Sequence, residues 1–140
     1  MQQVINETLR CSQLAPFAAR VKDTDEIIGG HEIAAGTPVI LALGCLHHRE
    51  DLWPEPTKFD PDRFSEENMR HKPRYSFLPF GGTGRKCPGC RLAMTEAVSV
   101  LSVLVRKFEF DLVPGQEVTP MLGLVTQPAD EIWLTVKKRN

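Results

Sequence analysis

The sequence contains no long hydrophobic run. Its longest mostly apolar stretches, Val39–Leu46 and Ala97–Val105, fall well short of the roughly 20 residues that cross a bilayer. It does not open on a basic segment followed by an apolar one, so no secretory signal is read at its start. Charge of one sign is lacking as well. Seventeen Lys and Arg against eighteen Asp and Glu leave a formal net charge of -1, which excludes an overall basic field that would gather nucleic acid or anionic lipid. Cysteine is scarce and irregularly placed, at positions 11, 45, 87 and 90, which is too little for a disulfide framework. A reducing, intracellular compartment is the default expectation.

What is present is an ordinary globular composition, 41% hydrophobic and 25% charged over 140 residues, the length of one domain. The prolines are unevenly spread. Pro54, Pro56, Pro61, Pro73, Pro79 and Pro88, six of the eleven, fall between Trp53 and Gly89 together with Gly81, Gly82, Gly84 and Gly89. Proline lacks the N–H that helices and central strands use, so little regular structure is predicted there. An irregular stretch longer than roughly 12–15 residues in a compact domain is either functional or disordered. Trp53, Phe59, Phe64, Tyr75, Phe77 and Phe80 argue for order, since aromatics call for burial.

Around this segment the periodicities predict a helix over Gln3–Leu14, stopped by Pro16. Short strands follow at Phe17–Val21, Ile27–Ile28 and Glu32–Ala34, then a longer buried strand or strand plus turn at Pro38–Leu46. Leu92, Ala93, Glu96, Ala97, Val100, Leu101, Leu104 and Val105 predict a helix of about five turns with a wide apolar stripe. Phe108–Val113 alternates as a half-buried strand should, and Met121–Thr126 with Ile132–Val136 suggests a closing hairpin. The helix at the very start, without a lead-in, suggests a part of a longer protein.

Phe80-Gly81-Gly82-Thr83-Gly84-Arg85-Lys86-Cys87-Pro88-Gly89 carries the sharpest chemistry. It delivers a thiol to the start of the long helix, where the macrodipole, Arg85 and Lys86 all favour the thiolate, the form that binds metal. The glycines let backbone approach a flat object closely. Other readings stay open at this point. Cys87-Pro88-Gly89-Cys90 is also a C-x-x-C, compatible with a thiol-redox site, although no strand precedes it. A zinc site would need further ligands, for which His47-His48 is the only candidate. A phosphate loop would end in Lys-Ser or Lys-Thr, which is absent. Elsewhere, Glu7 and Arg10 share a helical face, an arrangement worth only about 0.2–0.5 kcal/mol at a surface. Arg63 lies between aromatics that call for burial, so its charge needs a partner, and Glu7 is a plausible one.

Three motifs in order resemble the cytochrome P450 superfamily. Glu7-x-x-Arg10 is similar to the E-x-x-R of the family's K helix, and Pro61-Asp62-Arg63-Phe64 to the P-E-R-F of its meander. Phe80 to Gly89 is similar to its F-x-x-G-x-R-x-C-x-G haem loop. The resemblance spans essentially all 140 residues but only the C-terminal third or less of a family member. It implies an α+β fold, mainly α in the parent protein: K helix, small sheets, meander, haem loop, L helix and closing β-hairpin, with residues 1–140 a partial domain and no separate second one. Thr83 replaces the usual Gly, Asp62 replaces Glu, and Gln13 stands where many relatives have Pro. Pro88 lacks an N–H, so thiolate hydrogen bonds would come from Gly89 or Cys90.

By the same resemblance Cys87 is the catalytic axial thiolate of haem iron, donating electron density that favours O–O cleavage. Arg85 and Arg20 would meet the haem propionates and Phe80 would pack beside the thiolate. Glu7, Arg10 and Arg63 would form a structural ion triad. Ala15–Ala18 and Met121–Val125 would face a small lipophilic substrate. The activity implied is that of a monooxygenase using O2 and electrons from a reductase, which Arg85, Lys86 and Arg91 would help to meet. The family's acid–alcohol pair, on a central helix upstream of the K helix, has no counterpart in these residues, which alone are expected to be inactive. Nucleic acid is not an expected partner. The parent would be expected at the endoplasmic reticulum membrane, any anchor lying outside this chain.

Overall fold

The computed structural model describes residues 1–140, except for the side chain of Thr83. Helix α1, Gln2–Ser12, ends on Gln13 in the left-handed region (φ 46°), just before Pro16. Strands β1 (Ala18–Arg20) and β4 (Val39–Leu41) pair antiparallel, as do β2 (Glu26–Ile28) and β3 (His31–Ile33). Gly29 and Gly30, both at positive φ, turn the second pair. The expected long strand at Pro38–Leu46 is corrected: it stops at Leu41, and helix α2, Leu43–His47, follows. Ile40 is 68% exposed and therefore not buried, while Leu43 and His47 are buried.

The proline-rich segment is mostly irregular, with short helical turns at Pro61–Phe64 and Thr83–Arg85 and a one-turn helix α3, Glu66–Arg70. The Pro61–Phe64 turn and α3 each begin for a local reason. Asp60 accepts the Asp62 N–H with Pro61 at the first helical position, and Ser65 accepts the Asn68 N–H. Trp53 and Phe64 are buried against each other and against Phe77, but Phe59 and Tyr75 stand exposed, contrary to expectation. The core is small: Ile5, Leu43, Trp53 and Phe64, wrapped around the buried Glu7 and Arg10.

Helix α4, Cys90–Lys107, follows the cysteine loop. Its apolar stripe forms as the periodicity predicts, yet Leu92, Val100 and Val103 are exposed. The strand pairing at the C-terminal end differs from expectation. Strand β5 (Phe108–Leu112) pairs with β8 (Leu134–Lys138), and the hairpin is the shorter pair β6 (Pro120–Met121) and β7 (Gln127–Pro128). Local turn signals mark where chain reverses, but β8 reaches back past the hairpin to a strand it does not adjoin in sequence. Phe110 and Leu112 alternate correctly but are exposed, so β5 is not half-buried.

Candidate functional site

Two clusters stand on either side of the Phe77–Phe80 segment. The first is built on α1. Glu7 and Arg10, one turn apart, are both wholly buried and joined twice, Arg10 Nε to Glu7 Oε2 at 2.7 Å and Arg10 Nη2 to Glu7 Oε1 at 2.8 Å. Glu7 Oε1 also accepts the Asp60 N–H at 2.9 Å and lies 3.4 Å from Arg63 Nε. That last pair is an ionic contact without hydrogen-bond alignment, which leaves Arg63 Nε buried and unbonded; Arg63 Nη2 donates to the Glu55 carbonyl instead. The structure thus brings Glu7, Arg10 and Arg63 together. Burial on its own would raise the Glu7 pKa. The Arg10 hydrogen bond, the Asp60 amide and the charges of Arg10 and Arg63 outweigh it and hold Glu7 below the ordinary carboxylate range.

Arg10 extends the cluster: Nη1 donates to the His47 carbonyl at 2.9 Å, Nη2 to the Lys58 carbonyl, and the guanidinium lies over Trp53. Lys72 also lies over Trp53, its Nζ 4.1 Å from the ring centroid and donating to the Leu52 carbonyl. The sequence gives no hint of Lys72, because a lone lysine in an irregular segment carries no spacing signal.

The second cluster is the cysteine loop. Cys87 and Arg85 are exposed and Phe80 is half-buried. The Cys87 N–H donates to the Phe80 carbonyl at 2.9 Å, and Gly81 (φ 72°) donates to the Leu78 carbonyl at 3.1 Å, so the loop is tied within itself. A Cβ on Gly84 would meet nothing within 4 Å, and one on Gly89 would lie 3.8 Å from Cys87 Sγ. The Cys90 N–H, one of the two amides expected to serve the sulfur, donates to the Cys87 carbonyl. A groove of about 250 Å³ runs beside the loop, lined in part by Phe77, Phe80, Lys86, Cys90 and Met94. An exposed thiol on an open glycine-bearing face, with Arg85 beside it, fits a flat anionic cofactor bound through sulfur.

Arg20 is on β1, exposed and donating to the Ala19 carbonyl, at the edge of an apolar cleft with Val39, Ile40 and Leu41. The chain just outside the two expected substrate segments is joined. Thr126 clasps the end of α1 through Oγ1 to the Gln13 carbonyl (2.8 Å) and N–H to the Leu14 carbonyl (2.9 Å), which holds the Met121–Val125 turn against the chain leading into Ala15–Ala18. Phe17, Met121, Leu122 and Leu124 are exposed there. The substitution at Thr83 concerns a side chain outside the described residues.

Among the described residues no three His, Cys, Asp or Glu side chains gather as a metal site. His47 is engaged with the Leu78 N–H, and His48 Nδ1 either accepts from Gln13 Nε2 or, in the other tautomer, donates to the Gly44 carbonyl, so neither ring is turned toward Cys87 and Cys90. The zinc alternative therefore finds no ligand set, and a thiol-redox site finds no preceding strand.

Residues 1–136 match the family profile described as Cytochrome P450. Cytochrome P450 20A1 of Bos taurus and of Homo sapiens are each 38% identical over 138 residues, 99% of this chain and 29% of the relative. Cytochrome P450 4g1 of Drosophila melanogaster is 41% identical over 110 residues, 77% of this chain and 20% of that protein. The crystal structure of the cytochrome P450DA heme domain superimposes with a TM-score of 0.89 at 32% identity, over 99% of this chain and 31% of its own. The chain spans less than a third of the length of the relatives it matches, and over that span it belongs to the cytochrome P450 family.

Proposed function

We propose that this chain is the thiolate-bearing C-terminal part of a haem-thiolate monooxygenase, whose whole protein oxidises a small lipophilic substrate with O2 and electrons from a reductase. The observation that carries the reading is the exposed Cys87 thiol on a loop tied to itself at Phe80 and Leu78 and opening at the start of α4. Bound there, haem supplies the iron at which dioxygen is activated.

The chain's own residues then have distinct tasks. Cys87 would hold the haem iron through its thiolate. Arg85, exposed two residues before it, would neutralise a propionate, and Phe80 would shield the sulfur from water. Arg20 would take the second propionate, although its guanidinium now rests on its own strand. Glu7, Arg10 and Arg63 hold α1, the Pro61–Phe64 turn and α2 in one unit behind the loop. The apolar turn at Met121–Val125, clasped by Thr126, meets the lipophilic substrate. Arg85, Lys86 and Arg91 form an exposed cationic rim suited to an acidic electron donor.

Residues 1–140 form one partial domain in this reading. Taken alone they leave Leu92, Val100 and Val103 of α4 in water, and the reading includes their being inactive without the rest of the protein. No helix of the described residues is long and apolar enough to cross a membrane.

The reduced, carbon monoxide-bound absorption spectrum of the whole protein tests the reading. A red-shifted Soret band is expected; haem bound without that band would overturn the thiolate assignment.

A further inference from the structure

His47 is 3% exposed, at the last turn of α2, and joins the two clusters by both its backbone and its ring. Its carbonyl accepts Arg10 Nη1 at 2.9 Å, and its Nε2 accepts the Leu78 N–H at 2.9 Å. An imidazole that accepts at Nε2 is neutral with its proton on Nδ1. The ring also packs on Phe77, with centroids 5.3 Å apart. Beyond Leu78 the bonds continue, since the Leu78 carbonyl accepts the Gly81 N–H and the Phe80 carbonyl accepts the Cys87 N–H. A Cβ on Gly82 would lie 3.1 Å from Leu78 Cδ2, so the loop folds closely over the residue His47 holds.

We propose that His47 is a positioning residue for Cys87: its neutral imidazole fastens the base of the cysteine loop to the Glu7–Arg10 pair, and its protonation releases the loop. The proposal rests on the haem-thiolate reading of Cys87. An imidazolium carries N–H at both nitrogens, so the Leu78 amide would face a donor in place of an acceptor. No acid stands by to stabilise that cation. Arg10 faces His47 from α1 with its charge committed to Glu7, His48 faces it from α2, and Ser76–Phe80 on the loop side brings no ionisable group. Burial first, then His48 and Arg10, lowers the ring's pKa from 6.5 to about 4. A released, wetted ring returns to its ordinary value, so acid favours release.

Hydrogen exchange of the Leu78 amide in the whole haem-loaded protein, corrected for intrinsic exchange, tests this beside the carbon monoxide spectrum. From the two ring pKa values, Leu78 protection is expected to fall about 20-fold between pH 7 and pH 5. His47→Gln, whose amide oxygen can accept the Leu78 N–H without titrating, is expected to keep the band and lose the pH dependence. His47→Leu is expected to lose Leu78 protection at both pH values. Constant protection in the unaltered protein overturns the proposal whether or not either variant folds, and so does a His47→Gln profile parallel to it. A protein that binds haem without the red-shifted band at pH 7 overturns the thiolate reading and this proposal together. The band present with constant Leu78 protection overturns this proposal alone.

Discussion

The side chain of Arg10 closes a two-pronged hydrogen bond onto Glu7, Nε to Oε2 at 2.7 Å and Nη2 to Oε1 at 2.8 Å, with both groups wholly withdrawn from water. Two residues one helical turn apart would be worth a few tenths of a kcal/mol on a surface. Here Glu7 also takes the Asp60 amide and the Arg63 charge, so one carboxylate fixes the proline-rich segment to α1.

Glu7→Ala therefore leaves the buried Arg10 guanidinium and the largely covered Arg63 without their anion. A loss of about 3–5 kcal/mol is expected, because breaking a buried ion network costs far more than forming it gains. Denaturant unfolding and haem content of the whole protein check this, with haem incorporation expected to be abolished. Lys22→Ala, which breaks an exposed pair with Glu26, is expected to change stability by less than about 1 kcal/mol. Haem at normal yield in Glu7→Ala would contradict the triad's role.

Stability is expected to fall with acid in two stages. His47 binds its proton at about pH 4 when folded and 6.5 when free, so the unfolded chain takes up the proton first. The stabilisation is complete above pH 6.5 and is lost as the pH falls toward 4, by about 3 kcal/mol in all. Glu7, held below its ordinary range, adds a further loss below about pH 4.5 as its charge is neutralised. Urea midpoints measured from pH 7.5 down to about pH 2.5 in the unaltered protein and in His47→Gln separate the stages, since the variant lacks only the first.

Gly44 sits where a Cβ would come 2.3 Å from Gln13 Oε1. Gln13 is held on His48 by Nε2 to Nδ1 at 3.1 Å, so Gly44→Ala displaces a bonded side chain and costs about 1 kcal/mol against the helix-propensity gain of alanine. In a Gln13→Ala background the obstacle is gone and the same substitution is expected to stabilise. A double-mutant cycle on denaturant midpoints reads the coupling. Additive effects would contradict the steric relation.

Much of this site is legible in the sequence because its signals are local. Glu7 and Arg10 share a helical face, the glycines and prolines around Cys87 mark a loop that opens a helix, and α4 carries its stripe in plain periodicity. What the sequence conceals is tertiary. Periodicity reports that Leu92, Phe110 and Leu112 share apolar faces, not that this chain leaves them uncovered. Five residues give α2 too short a period to stand out from an aliphatic run. His47 offers only its neighbour His48 as a clue, since its partners Arg10 and Leu78 lie 37 and 31 positions away.

The most direct test of Cys87 as the thiolate ligand is the reduced, carbon monoxide-bound spectrum of the whole protein carrying Cys87→Ser beside that carrying Cys90→Ser. The red-shifted Soret band is expected to vanish in the first and persist in the second, whose cysteine is half-buried at the first residue of α4. Equal dependence on both cysteines, or a red-shifted band that survives Cys87→Ser, would contradict it.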